Sequence, residues 1–377
     1  MSIAIYTLTS ELHDEQAVSA MTKEFLDSLP FDYELRGAGY SDYGSHALDL
    51  IYVRTGGTEG IFRRLLPSLR QQSSSPFLLL TSGKSNSLAA SMEILSFLQQ
   101  NDLQGEIIHG RPEYIAQRVT LLARVGEARR RLHGIRLGII GEPSDWLISS
   151  TFDTDRVRDL LGIELVKIPM QELLALTAHH SPLIDTLRTV VQQNRLQGFT
   201  LRCFDLLTAI HDTGCLALAQ LNAEGIVAGC EGDVPAMLTM AVTQALTGYT
   251  GFQANPATID PETGETLFAH CTIPLNMVER YELDTHFESG IGVAVRGYMK
   301  EGPVTVFKLS GDLSRHFVAE GRLVRNQAKP DLCRTQQVIQ LDDPQQAAYF
   351  LQRPIGNHHI IVPGHHRQAI DALFEGL

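Results

Sequence analysis

A chain of 377 residues is too long for one ordinary hydrophobic core, so two or three domains are expected. A net charge of −12 excludes a general nucleic-acid binder, which needs a basic surface to neutralise phosphates. The 44% hydrophobic content suits a folded chain, and no apolar run is long enough to span a bilayer, so no membrane partner is expected. Cys203, Cys215, Cys230, Cys271 and Cys333 are odd in number and form no CxxC pair. They read as reduced thiols, which points to the cytoplasm; Cys203, Cys230 and Cys271 are expected to be buried. The opening MSIAIYTLTSE lacks the basic and apolar pattern of a secretory signal.

Strands are expected over residues 3–8, 48–53, 77–80 and 106–109, with helices over 15–29, 61–69 and 88–100. Strands alternating with helices imply a parallel sheet covered on both faces. Residues 1–115 therefore read as a flavodoxin-like, doubly wound domain. Two glycine-rich loops follow strands: RTGGTEG from Arg54 and TSGKSNS from Thr81. The second ends like a Walker A motif, but Leu78 stands where its first glycine belongs, so a nucleotide loop is excluded. The first remains a candidate to meet a hydroxylated ligand, with Arg54 as a substrate contact. Ordinary strand-to-helix turn chemistry accounts for either loop and is the favoured reading of each taken alone.

A long helix over 112–132 leads into a second α/β domain, residues 116–278. Its strands are expected at 135–140, 164–168 and 199–204, with helices over 155–161, from 169, over 181–195 and over 215–221. The stretch GIVAGCEGDVPAMLTM then reads as a buried strand, an acidic turn and an apolar helix. It sets Glu231 and Asp233 at a strand's C-terminal end, where open α/β sheets hold ligands. An aspartate that only caps the helix and a solvated glutamate fit the same pattern. Residues 251–256, containing Asn255, read as an extended loop, and 266–271 as a strand delivering His270.

After Pro274 helical periodicity disappears. GIGVAVRGY, GPVTVFKLS and HFVAEGRLV are short β runs between glycine-rich and charged turns. Residues 279–377 thus read as a small antiparallel β domain or open barrel, beginning between 275 and 290. A terminal helix over 367–374 returns to the α/β core. The fold class is α/β: two flavodoxin-like doubly wound domains followed by a small antiparallel β domain.

Carboxylates with histidines form an oxygen-and-nitrogen shell suited to Mn²⁺, Mg²⁺ or a similar ion. The acidic turn, His270, His286, Glu288, His358 and His359 supply such groups. His358 and His359 cannot both face one point in extended chain, so one is expected as ligand and the other in packing. His365 and His366 open the last helix and read as exposed.

These segments carry a resemblance. CEGDVPAML with LTGYTGFQANPATID resembles the ENDxLNG…LTG segment of L-fucose isomerases and the GEGDWK segment of L-arabinose isomerases. LFAHCTIPL resembles the latter's strand bearing a metal-binding histidine. GNHHIIVPGHH resembles the former's segment with the C-terminal ligand histidine, and GEPSDWLISSTFD its second-domain opening. The resemblance runs over roughly residues 40–377 and is to the shorter fucose-isomerase-like members of that superfamily. It implies Asp233 and His358 as metal ligands, Glu231 as ligand or base, and His270 as ligand or substrate contact. Asp205 is the nearest match to the family's first acidic ligand. Asn255, His286 and Glu288 are candidate substrate contacts.

The implied activity is aldose–ketose isomerisation through a cis-enediol, with a divalent cofactor, expected to be Mn²⁺, polarising the carbonyl and Glu231, Asp233 and Asp205 as catalytic carboxylates. The implied partners are a small-molecule sugar and further copies of the chain, in a trimer or hexamer. Two alternatives stand beside it: a cofactor-free racemase or epimerase using cysteine thiols, and a non-catalytic sugar-binding protein on the same fold.

Overall fold

A computed structural model of the chain describes residues 2–73, 75–177 and 182–375. It divides into two compact units, Met1–Arg130 with Gln368–Leu377, and Arg131–Arg367. The first unit contains β1 (Ile3–Leu8), α1 (Glu15–Asp27), β2 (Glu34–Gly37), β3 (Leu48–Val53), α2 (Glu59–Gln72), β4 (Phe77–Thr81), α3 (Ser87–Gln100) and β5 (Gly105–Ile108). Helix α4 (Pro112–Leu132) follows. The strands form a parallel sheet in the order β2-β1-β3-β4-β5. Alternate residues feed two cores: Ile5, Leu50 and Leu80 on one face, Tyr6, Ile51 and Leu79 on the other. Burial on both faces is why β1, β3 and β4 are largely apolar. β2 (ELRG) was not expected, because its burial pattern is exposed and it carries no apolar run.

The second unit opens with β6 (Arg136–Ile140), α5 (Thr154–Leu161), β7 (Glu164–Ile168), α6 (Met170–Thr177) and α7 (Leu183–Gln193). It continues with β8 (Gly198–Leu201), α8 (Phe204–Ala209), α9 (Cys215–Ala223), β9 (Val227–Cys230) and α10 (Val234–Thr247). The helix expected from Ser181 is found from Leu183, and Ser181 itself lies outside the described residues. Strand order is β7-β6-β8-β9, all parallel, which completes a second α/β layer. Helix α10 is buried around nearly its whole circumference, as its continuous apolar sequence requires.

The remaining strands are β10 (Phe252–Ile259), β11 (Glu265–His270), β12 (Arg280–Asp284), β13 (Ala294–Tyr298), β14 (Gly302–Leu309), β15 (His316–Gln327) and β16 (Thr335–Leu341). After them come α11 (Ala347–Gln352), β17 (His359–Pro363) and α12 (Arg367–Phe374). Six of these strands close an antiparallel barrel, β10-β11-β16-β15-β14-β17, and β12-β13 form a separate hairpin. Phe252, Phe268, Val304, Val306, Leu323 and Ile339 fill the barrel core. Two differences from expectation appear here. The barrel is closed, and it recruits β10 and β11 from before residue 275. Residues 251–256, expected as a loop, fall from Phe252 onward in β10, where Pro256 sits beside a register shift at Pro256/Thr258 and a missing N–H is tolerated.

Candidate metal centre

The centre lies inside the second unit, where the C-terminal end of β9 meets the barrel. β9 ends at Cys230 and the chain turns sharply through Glu231 and Gly232, both left-handed (φ 63° and 70°). A Cβ at Gly232 would stand 2.9 Å from the Glu142 carbonyl oxygen and the Pro143 Cα, so only glycine fits. Glu231 pays for the same turn with a conformation uncommon for a side-chain-bearing residue, of the kind that clusters at functional sites. Asp233 then caps α10: its Oδ1 accepts from the Ala236 N–H at 2.8 Å.

His270 ends β11 and His358 immediately precedes β17. One ligand atom from each of Glu231, His270 and His358 lies within 4.8 Å of the other two. Glu231 Oε1 is 3.5 Å from His270 Nε2 and 3.4 Å from His358 Nε2. The two imidazoles meet edge to face, with ring centroids 5.3 Å apart. Each ring is held from behind. His270 Nδ1 is 3.0 Å from Thr272 Oγ1, and His358 Nδ1 donates to Asp233 Oδ2 at 2.8 Å. Behind Asp233 stands Lys308, buried, with Nζ 3.7 Å from Oδ2 and no hydrogen bond.

Electrostatics bind these groups together. Burial pushes the Glu231 carboxyl up, but the charge of His358 and the close approach of both imidazoles outweigh it and hold it well below the carboxylate range. Burial likewise raises Asp233, while Lys308 and His358 together bring it down to about 2. Burial lowers His358, yet Glu231 and Asp233 overcome that and raise it to about 9. Desolvation lowers Lys308.

The donor set is one carboxylate oxygen and two imidazole nitrogens, which suits a borderline divalent ion. His358 Nε2 is buried with no hydrogen-bond partner, so a cation that displaces its proton finds a lone pair not otherwise engaged. Asp233, expected as a fourth ligand, has one oxygen on a helix N-terminus and the other on His358, the arrangement of a carboxylate behind a ligating histidine.

A cleft of about 50 Å³ adjoins the centre. Asn255, His286 and Glu288, expected as substrate contacts, line it with Glu231 and His270. Asn255 Oδ1 is buried without a partner. His359 points away from His358 and packs among Phe268, Tyr349 and Phe350, its Nε2 3.1 Å from the Tyr349 hydroxyl. Asp205 is not part of the cleft wall: it pairs with Arg202 (3.1 Å) and its side chain is 42% exposed. It occupies the first turn of α8, just beyond a strand that ends three residues earlier than expected. Arg54 belongs to the first unit, where it donates to Thr22 Oγ1, Thr9 Oγ1 and Glu15 Oε1 at 2.7 to 3.0 Å.

All five cysteines line the cleft, a convergence their spacing did not reveal. All are free thiols, and Cys203, Cys230 and Cys271 are buried as expected. Hydrogen bonds from Cys215 and Cys333 hold the Cys271 thiol down, and the same bonds with burial push both partners up. Cys203 and Cys230 touch, with Sγ atoms 3.2 Å apart. That contact leaves no space between them for a substrate carbon, which a two-thiol racemase needs. Trp146, whose indole N–H donates to Glu231 Oε2 at 2.7 Å, also escaped sequence reasoning.

Fold and site together define a mixed α/β protein with a closed antiparallel barrel and a candidate metal centre at the barrel's junction with a parallel sheet. The chain is similar to sulfoquinovose isomerases: 21% identical over 262 residues to that of Priestia aryabhattai, covering 60% of this chain and 59% of the relative. The protein of the same name from Alkalicoccus urumqiensis is 20% identical over 261 residues, covering 59% of each. That of Clostridium sp. (strain MSTE9) is 24% identical over 234 residues, covering 53% of this chain and 51% of the relative. The matched region thus spans a little over half the length of these relatives. No family model matches the chain. No helix among the described residues is long and apolar enough to cross a membrane.

Proposed function

We propose that this chain is a divalent-metal-dependent aldose–ketose isomerase of a small sugar. The observation that carries the proposal is the convergence of Glu231, His270 and His358 around the unpartnered Nε2 of His358. The similarity to proteins named as sugar isomerases supports it.

In this proposal Glu231 Oε1 and the Nε2 atoms of both histidines hold the ion, with Mn²⁺ as the candidate. Bound there, it supplies polarisation of the sugar carbonyl, which acidifies the neighbouring C–H. Asp233 orients His358 and keeps its proton on Nδ1. Lys308 keeps Asp233 ionised. Asn255, His286 and Glu288 contact the sugar hydroxyls. Glu231 and Glu288 are the carboxylates on the cleft wall, and one of them moves the proton between the two carbons. A ligand pocket usually measures roughly 300–1,000 Å³, so sugar entry requires the side-chain walls of this cleft to move.

A panel of aldoses assayed for ketose formation, with and without Mn²⁺, tests the proposal. Sulfoquinovose heads the panel because the similar proteins are named for it, with L-fucose and L-arabinose beside it. Turnover that needs Mn²⁺, stops with chelator and is lost in His358→Ala is the expected result. Sugar binding without turnover would favour the non-catalytic alternative, and turnover indifferent to chelator would sink the metal.

A further inference from the structure

Glu231 offers two oxygens, and their nearest partners differ. Oε1 lies 3.5 and 3.4 Å from the two imidazole Nε2 atoms, whereas Oε2 accepts the Trp146 indole N–H at 2.7 Å. The backbone at Glu231 is left-handed, so its side chain leaves the turn from an unusual angle. The two oxygens of a carboxylate are chemically equivalent, and χ3 of glutamate is a broad torsion with no strong preference of its own. Something outside the residue must therefore fix which oxygen is presented.

Trp146 is built to do that. Its ring meets Phe204 edge to face at 4.8 Å, and Phe204 meets His286 in the same way at 5.6 Å. Phe204 and His286 line the cleft, so the indole is fixed from the cleft wall while half of its surface stays exposed. The backbone ties the same two segments together: the Ser144 N–H donates to the Glu231 carbonyl at 3.1 Å, and the Trp146 loop follows directly. Indole N–H is a donor only, so it engages one carboxylate oxygen and leaves the other to the centre.

We propose that Trp146 is a positioning residue for Glu231. Its N–H holds Oε2, turns Oε1 toward His270 and His358, and so sets the affinity of the centre for a divalent cation. This rests on the metal reading of the site, and it goes further by assigning a partner outside the ligand set. Partners that orient ligating groups typically change metal affinity by about 10- to 100-fold when removed.

The test uses the full chain and Mn²⁺ alone. Trp146 is the only tryptophan, so indole emission reports this position without interference. In wild type, Mn²⁺ titration is expected to change that emission with the same midpoint that calorimetry gives. Trp146→Phe keeps an aromatic ring against Phe204 but removes the donor. It is expected to bind Mn²⁺ roughly 10- to 100-fold more weakly, with its thermal midpoint close to that of wild type. Glu231→Gln keeps the side chain's shape and the indole reporter, and is expected to shift the metal-free emission and abolish the Mn²⁺ response at an unchanged thermal midpoint. Wild-type affinity in a folded Trp146→Phe overturns the proposal while leaving the metal reading standing. A loss of affinity matched by a collapsed thermal midpoint assigns Trp146 a merely structural role and also overturns it. Wild-type protein that binds no Mn²⁺ by calorimetry sinks the metal reading itself, and this proposal with it.

Discussion

In the proposed centre, His358 is where a proton and a metal would compete. Its folded pKa of about 9 lies above the ordinary histidine value near 6.5, so the protonated ring contributes stability to the metal-free protein. That contribution is fully present below about pH 6.5 and is lost as pH rises through about 9. A cation bound at Nε2 must displace that proton, because Nδ1 keeps its own for Asp233. At pH 7.5, calorimetry in two buffers of different ionisation enthalpy is therefore expected to show about one proton released per Mn²⁺, with affinity rising about tenfold per pH unit up to roughly pH 9. Binding with no proton release would mean that His358 is not a ligand. The three converging residues were legible in the sequence because each sits where an apolar run meets a turn. Lys308 was not, because GPVTVFKLS reads as an ordinary strand. Its register places it on the face of Val304 and Val306, toward the barrel interior. Its partner Asp233 is 75 residues away, and periodicity carries no information about contacts at that range.

At the scale of elements, β9 is an edge strand, and its open side is closed by a side chain. Gln253 of β10 accepts the Cys230 N–H through its carbonyl oxygen at 2.8 Å and donates its amide to the Cys230 carbonyl at 3.3 Å. One glutamine amide thus does what a neighbouring strand would do, and it pins the residue before Glu231 to the barrel. Replacing it with leucine keeps the volume and removes both hydrogen bonds. The Cys230 carbonyl keeps the Asp233 N–H at 3.2 Å, so only the Cys230 N–H is left without a partner. A buried backbone group left so costs roughly 1–3 kcal/mol, and Gln253→Leu is expected to destabilise the second unit by about that much and to weaken Mn²⁺ binding. Urea unfolding and calorimetry check the two halves of that expectation, and unchanged values in both would show that the clamp is idle. The sheets and most helices were legible, since 3.6- and 2-residue periods report one element at a time. The barrel's closure was not, because it depends on β10 and β17 pairing across more than a hundred residues. Asn255-Pro256 also disguised β10 as a loop.

Across the whole chain, the first unit is completed by its last helix. The chain leaves that unit after residue 130 and returns at 368. Ala369, Ile370 and Leu373 of α12 are buried, Ala372 packs against the Ile3–Ile5–Leu50 core, and the Arg129 guanidinium donates to the Leu373 carbonyl at 2.9 Å. The sheet face they help cover is apolar from the first strand onward, so without α12 it would meet water. A return helix was expected from the periodicity of the last residues, and these contacts explain why it is apolar on one side. Leu373→Ala removes a fully buried side chain and is expected to lower the stability of the first unit by about 2–5 kcal/mol, a large part of the roughly 5–15 kcal/mol that an ordinary domain possesses. Every residue of the candidate metal centre lies between 131 and 367, so the same variant is expected to bind Mn²⁺ with wild-type affinity. Urea unfolding followed by far-UV dichroism should therefore move to lower denaturant while the calorimetric isotherm, recorded without denaturant, stays in place. If Leu373→Ala instead weakens Mn²⁺ binding in proportion to its loss of stability, the two units do not fold and act separately, and the centre depends on the whole chain.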